Sequence, residues 1–204
     1  MPVKLSRLLV LTPCLLLPAT RAQALEITPF GAFRTGGEFS ETATSNSLDI
    51  DNTRAFGIIL GRPYQRDKIL EFFYSHQHAP LVENTAAGAN TLFELDVDYF
   101  QLGGIHMFNT TPEIQPFVSG GLGLSLFSPG LNGLDSEVRP AFGIGGGFRW
   151  KISDGFGLRF ELRGTGTFFG NRSSIFCNNG QCTANLRGEL LFQGDILIGA
   201  NFSY

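Results

Sequence analysis

Apolar and polar residues alternate along almost the whole chain, and this period of two is what most limits the folds open to it. Phe93, Leu95, Val97 and Tyr99 interleave with Glu94, Asp96 and Asp98. Leu158, Phe160, Leu162 and Phe168 interleave with Arg159, Glu161, Arg163, Thr165 and Thr167. Val118, Leu122, Leu124 and Leu126 alternate with Ser119, Ser125 and glycines, and Phe142, Ile144, Phe148 and Trp150 with glycines and Arg149. Such spacing gives a strand one apolar and one polar face. The last eleven residues, GDILIGANFSY, follow the same rule to the end: Ile196, Ile198, Ala200, Phe202 and Tyr204 share a face. No stretch after the first 24 residues holds 18 consecutive apolar residues, so a membrane-spanning helix is excluded there. A chain of this kind enters a membrane only as a closed barrel, because only helices and closed barrels pair every backbone polar group in lipid.

Residues 1–24 read as a secretory signal. Lys4 and Arg7 make a positive start, Leu8 to Pro18 is a short apolar run, and Ala22-Gln23-Ala24 is a small-x-small cleavage pattern. The domain then occupies 25–204. Of 15 basic residues, Lys4, Arg7 and Arg21 leave with the leader, so 12 face 18 acidic ones and the formal charge becomes −6. That balance argues against a nucleic-acid partner.

Eight strands are expected, near 27–39, 50–61, 68–78, 92–107, 115–127, 138–151, 157–169 and 187–204. Short turns fall around 62–67, 109–113 and 152–155. Longer connections, rich in Ser, Asn, Gly, Thr and Asp, fall around 40–49, 79–91, 128–137 and 170–186. An even strand count with short and long connections alternating is the layout of bacterial outer-membrane barrels. The fold class is therefore all-β: an eight-stranded antiparallel up-and-down transmembrane barrel with short periplasmic turns and longer extracellular loops. A soluble sandwich or lipocalin-like barrel is the alternative.

Charge on the lipid face near the midplane costs about 2–4 kcal/mol for Arg or Lys. The alternation therefore sends Arg159, Glu161 and Arg163 inward, and by the same argument Glu94, Asp96 and Asp98. Glu71, Arg149, Glu189 and Asp195 complete an expected salt-bridge network in the lumen, with no metal. Trp150, Tyr204 and Phe108 suit a periplasmic aromatic girdle, and Phe127, Phe168 and Phe169 an outer one.

Cys177 and Cys182, in SSIFCNNGQC, are the two cysteines of the exported part, and a local disulfide is expected in an oxidising compartment. The loop between them and its flanks exposes Ile175 and Phe176, which either contact lipopolysaccharide, a partner or a host surface, or fold onto the barrel rim. His76 and His78 share a face near an outer strand end, too few for a metal site. Ser75 and His76 are neighbours and so point to opposite faces, which opposes direct nucleophile–base contact.

The stretches ITPFGAFRTGGEF, LDVDYFQLGGIHMF, PFVSGGLGLSLFSPG, FGIGGGFRW, GLRFELRGTGTFF, SSIFCNNGQC and the terminal NFSY resemble the small OmpA-like outer-membrane β-barrel proteins of Gram-negative bacteria. The resemblance covers essentially all of 25–204. It implies a bacterial outer-membrane location after cleavage near Ala24, lipid and lipopolysaccharide as surroundings, a monomer, and no cofactor. It also implies that Ile198, Phe202 and Tyr204 form the signal read by the barrel-assembly machinery, with Tyr204 where Phe is more usual. Fold does not fix function. The expected role is a non-enzymatic one in envelope integrity or surface interaction through the extracellular loops. A narrow channel for small or apolar solutes is the alternative, and a lipid-modifying enzyme the third reading.

Overall fold

The computed structural model describes residues 25–40, 47–85, 88–108, 113–131, 133–170, 173–178, 181–186 and 190–204, with side chains described outside 38–40, 47, 173–178 and 181–186. The expected leader, residues 1–24, lies outside the described residues.

Twelve strands follow one another: β1 (Glu26–Gly36), β2 (Glu38–Ser40), β3 (Ser47–Ile50), β4 (Thr53–Gln65), β5 (Lys68–Thr85), β6 (Gly88–Met107), β7 (Ile114–Pro129), β8 (Glu137–Lys151), β9 (Phe156–Phe168), β10 (Ser173–Asn178), β11 (Gln181–Leu186) and β12 (Leu190–Ser203). Eight of them close a ring in the order β1-β4-β5-β6-β7-β8-β9-β12, each antiparallel to its neighbours. The closing pair is β1 with β12, from Glu26 opposite Ser203 to Gly36 opposite Gln193. Closure matters because an open edge in lipid would strand a row of backbone donors and acceptors. The terminal strand is paired along its length, and the Tyr204 amide still donates to the Leu25 carbonyl at 3.1 Å.

Pro29 sits inside β1 without breaking the ring. The β1–β12 register skips Thr28 and Pro29, where proline has no N–H to give. The Asn201 amide donates instead to Thr28 Oγ1 at 2.8 Å, a side-chain bridge across the gap.

Three connections depart from expectation. Residues 79–91 do not form a long loop: β5 runs on to Thr85 and β6 starts at Gly88. These strands are 18 and 20 residues long, against about 9–11 for a membrane crossing, so the hairpin projects well beyond one rim. The polar tract PLVENTAAGAN reads as loop by composition, yet its strand is paired from Pro80–Glu94 to Thr85–Gly88. The first long connection contains β2 and β3, and β3 pairs with β5 from Ser47–Asn84 to Ile50–Leu81. The last one contains the β10–β11 hairpin.

The β6 and β7 backbones approach each other closely. A Cβ at Gly103 or Gly123 would collide with the carbonyls of Gly120 and Phe100 respectively. Glycine is required at those positions by close backbone approach rather than by backbone angle.

Candidate functional site

The lumen is the most elaborate polar site among the described residues. β9 sends Arg159, Glu161 and Arg163 inward at every second residue, and all three are at least 95 % buried. Arg159 donates to both Glu71 oxygens, at 2.5 and 3.1 Å, and from Nε to Glu161 Oε2 at 2.9 Å. The other Glu161 oxygen accepts from Arg163 Nη1 at 3.1 Å and from Ser119 Oγ at 2.6 Å. Arg163 Nη2 donates to Gln101 Oε1 at 2.5 Å. A Cβ at Gly143 would land on Gln101 Oε1 and Arg163 Nη2, so the bare β8 backbone makes room for this layer.

A second cluster adjoins it. Arg34 of β1, fully buried, grips Asp195 of β12 with two bonds of 2.7 and 3.0 Å and donates to Ser75 Oγ at 2.8 Å. The guanidinia also lie on aromatic rings: Arg34 over Tyr99 at 4.8 Å, Arg159 over Phe117 at 4.6 Å and Arg163 over Phe73 at 4.2 Å. Three arginines thus meet Glu71, Glu161 and Asp195 in a neutral set. Neutrality is what low dielectric demands, since an unpaired buried charge costs about 3–5 kcal/mol. At the short-turn end Arg149 Nη2 donates to Glu26 Oε1 at 3.0 Å and to Asn201 Oδ1 at 2.9 Å.

Arg159, Glu161, Arg163, Glu71, Arg149 and Asp195 are therefore lumenal, as expected. Glu189 lies outside the described residues. Glu94, Asp96 and Asp98 are a correction, because they face outward. Asp98 accepts from Tyr74 Oη at 3.0 Å and meets His76 Nδ1 at 2.9 Å, while Asp96 meets His78 Nδ1 at 2.6 Å. Their apolar neighbours Phe93, Leu95, Val97 and Tyr99 point inward and are buried. The reason is solvent. Outward apolar residues on β5 end with Leu70, Phe72 and Tyr74, and on β6 with Phe100 and Leu102, so the acids stand on the part of the hairpin that has left the lipid. On this stretch of β5 and β6 the outward positions are polar and most of the inward ones apolar, the reverse of the membrane level.

That upper interior is an apolar core in which Leu48 and Ile50 of β3 pack with Ala79, Leu81, Leu95 and Phe127. Phe127 and Phe169 belong to it, their rings tilted with centroids 5.5 Å apart, and so correct the expected outer girdle; Phe168 does face outward. Trp150, Phe108 and Tyr204 are exposed near the short-turn end. Ile198 and Phe202 share the outward face of β12, and Tyr204, just past the strand's end, is exposed. Ser75 is buried and faces the lumen, whereas His76 is on the outer face. Cys177 stands opposite Cys182 in the β10–β11 register. The disulfide and the role of Ile175 and Phe176 depend on side chains outside the described residues.

Sequence reasoning missed Arg34, Gln101 and Ser119. Arg34 was within reach of the argument used for Arg159: one arginine in an alternating strand, between Phe33 and Thr35, belongs on the face away from lipid.

The outward face carries the complementary belt. Leu122, Ile144, Leu162, Ile196, Ile198 and Phe56 are each more than half exposed, an apolar surface that suits hydrocarbon and not water. Ring closure, this belt and the ionic lumen together define a transmembrane β-barrel. No protein-family model and no curated protein matches the chain. Among solved structures, Neisserial surface protein A (NspA) is similar over 89 % of this chain and 99 % of its own, at 13 % identity and a TM-score of 0.59. The outer membrane protein OprG from Pseudomonas aeruginosa is similar over 90 % of this chain and 96 % of its own, at 11 % identity and a TM-score of 0.59. The outer membrane protein AlkL, solved in lipid bilayers, is similar over 89 % and 90 %, at 15 % identity and a TM-score of 0.54. The chain thus has the fold of the small eight-stranded outer-membrane barrels.

Proposed function

We propose that this protein resides in the bacterial outer membrane and acts there without turnover and without conducting, through the surface it raises above the outer leaflet. The observation that carries the reading is the sealed lumen. A neutral six-residue ionic layer fills the membrane-level bore, and the apolar core above it is packed with side chains. An eight-stranded barrel has just enough room for such filling. What is left to engage the surroundings is the projecting β5–β6 hairpin, β2 and β3 beside it, and the β10–β11 hairpin. Loops on a rigid scaffold are where binding residues gather. Lipopolysaccharide, a host surface or another envelope protein are the partner classes this reading admits, with outer-membrane lipid around the belt. Assembly by the barrel machinery through Ile198, Phe202 and Tyr204 is part of the same reading.

Purified protein in planar bilayers tests it. The expected outcome is no stepwise conductance, with lipid A and phospholipid unchanged after incubation. Defined single-channel steps from the wild-type protein would overturn it. A narrow route for apolar solutes is the second reading, favoured by the apolar interior of the outer half. It needs Phe127 and Tyr99 to move aside, and uptake of an apolar dye into proteoliposomes separates it from the first.

A further inference from the structure

We propose that the periplasmic mouth of the barrel binds a small organic carboxylate carrying a short apolar body. The mouth holds a cavity of about 290 Å³ at the short-turn end, near the lower bound of about 300–1,000 Å³ for small-molecule sites. Its lining is chemically divided. Ile69 and Met107 form an apolar floor, packed with Ile105 and Phe117. Arg149, Glu26 and Asn201 form a polar wall.

Arg149 is the anchor. Its Nη2 is committed to Glu26 and Asn201. Its Nη1 has the Met107 sulfur as partner, at 3.7 Å. A thioether is a weak acceptor, so this edge of a charged guanidinium gains much from a carboxylate oxygen. The rest of the lining leaves the anion a net attraction. Glu26 is paired with Arg149 and Asp154 with Lys151, and Arg66 adds a further positive charge at the rim. Asn201, only 5 % exposed and held by Thr28, fixes the polar wall in place.

The cavity is blind. Arg159 lies on the Phe117 ring just above the floor, and its carboxylate partners close the bore. A ligand entering from the periplasm is held and returned, not passed through. The carboxylate lies toward Arg149 and the apolar body over Ile69 and Met107.

Trp150 follows Arg149 in β8 and its side chain faces outward, so occupancy is read from the ligand's own NMR shifts rather than from tryptophan emission. Full-length protein in zwitterionic-lipid nanodiscs is titrated with 3-phenylpropanoate, and in parallel with the neutral 3-phenylpropanamide. The expected result is a saturable shift with the acid and binding about tenfold weaker, or weaker still, for the amide, the size of one charge-assisted hydrogen bond. Arg149→Gln is expected to lose a similar factor, and Arg149→Lys to keep part of it. Because Arg149 also ties the closing strands together, Met107→Phe provides a second arm: it fills the floor, leaves the Arg149–Glu26 pair intact, and is expected to weaken binding while heat-modifiable gel mobility stays unchanged. Equal response to acid and amide, or no saturation in folded protein, overturns the proposal.

Discussion

The membrane half and the outer half of this barrel share strands, side-chain parity and closure, yet they solve opposite packing problems. At membrane level Gln101 and Arg163 are inside while Leu102, Leu122 and Leu162 are outside. Above it, on the same strands, Leu95 and Leu81 are inside while Asp96 and His78 are outside. Nothing slips by a residue between the two. What changes is the solvent, from hydrocarbon to water, and the polarity of each face changes with it. Tyr99 marks the junction: its ring lies under the Arg34 guanidinium and its hydroxyl donates to Gln193 at 2.7 Å. In the lower half paired charges lie among buried apolar residues such as Phe73, Ile59 and Phe117, whereas among the described residues no ion pair is buried beside Leu81 and Leu95, so the two should fail in different ways.

The largest effect is expected in the ionic layer. Arg159→Ala leaves Glu71 and Glu161 without their shared partner, and loss of about 3–5 kcal/mol is expected from the cost of uncompensated buried charge. Urea unfolding from lipid vesicles measures it. The corresponding outer-half change is Leu95→Ala, fully buried in the apolar core, with about 2–4 kcal/mol expected from lost burial and a residual cavity. The two should differ in reach as well. Leu95→Ala is expected to raise amide exchange in 79–97 first, and Arg159→Ala to weaken the whole ring. Equal exchange patterns would break the division into halves.

Outward positions sharpen the same contrast with a smaller effect. Leu122→Lys puts a charge on the lipid belt and is expected to cost about 2–4 kcal/mol near the midplane, against about 0–1 kcal/mol for Asp96→Lys beyond it. If Asp96→Lys proved as costly as Leu122→Lys, the hairpin above Tyr74 would have to lie in lipid.

Much of this was legible in the chain. Eight strands, the outward face of β12 and the inward set Arg159, Glu161 and Arg163 follow from alternation together with the rule that charge avoids lipid. The same rule failed for Glu94, Asp96 and Asp98 because it assumes that the outer solvent is lipid everywhere. The sequence does carry a mark of the change: in Asp98-Tyr99-Phe100-Gln101 the alternation of polar and apolar residues stumbles on two adjacent aromatics. A strand whose hydropathy inverts while its backbone continues has to cross a solvent boundary there. The inward side of Arg34 is within reach of the same rule, but its pairing is not. Its partners Asp195 and Ser75 lie 161 and 41 residues away, and no local pattern announces such a pair. The hairpin tip hid because Asn, Gly and Ala spell loop whether or not β3 is present to pair with the strand beside it.

The smallest expected effect bears most directly on which way the acids point. The hydrogen bond to Asp96 raises the His78 pKa above its ordinary value of 6.5, against a weaker opposing effect of burial and with help from the charges of Asp96 and Glu94. His76, Asp98 and the Tyr74 phenol bonded to it, with exposed Arg54 on β4, are further charged or titratable groups on this face. A raised pKa means that the fold favours the protonated imidazole. The contribution of the pair to stability is therefore complete below about pH 6.5, the value for the unfolded chain, and is lost as pH rises through the higher folded value. Both partners are exposed, so screening keeps the energy small and the titration itself is the better readout. The His78 ring signal in detergent-solubilised protein is expected to titrate above pH 6.5, and Asp96→Asn to bring it back toward that value. An imidazole on the outer face cannot hydrogen-bond a carboxylate that points into the lumen across the sheet, and that bond is the largest cause of the shift. A midpoint indifferent to Asp96→Asn would turn the acids of β6 inward again and remove the reason for dividing the barrel at Tyr99.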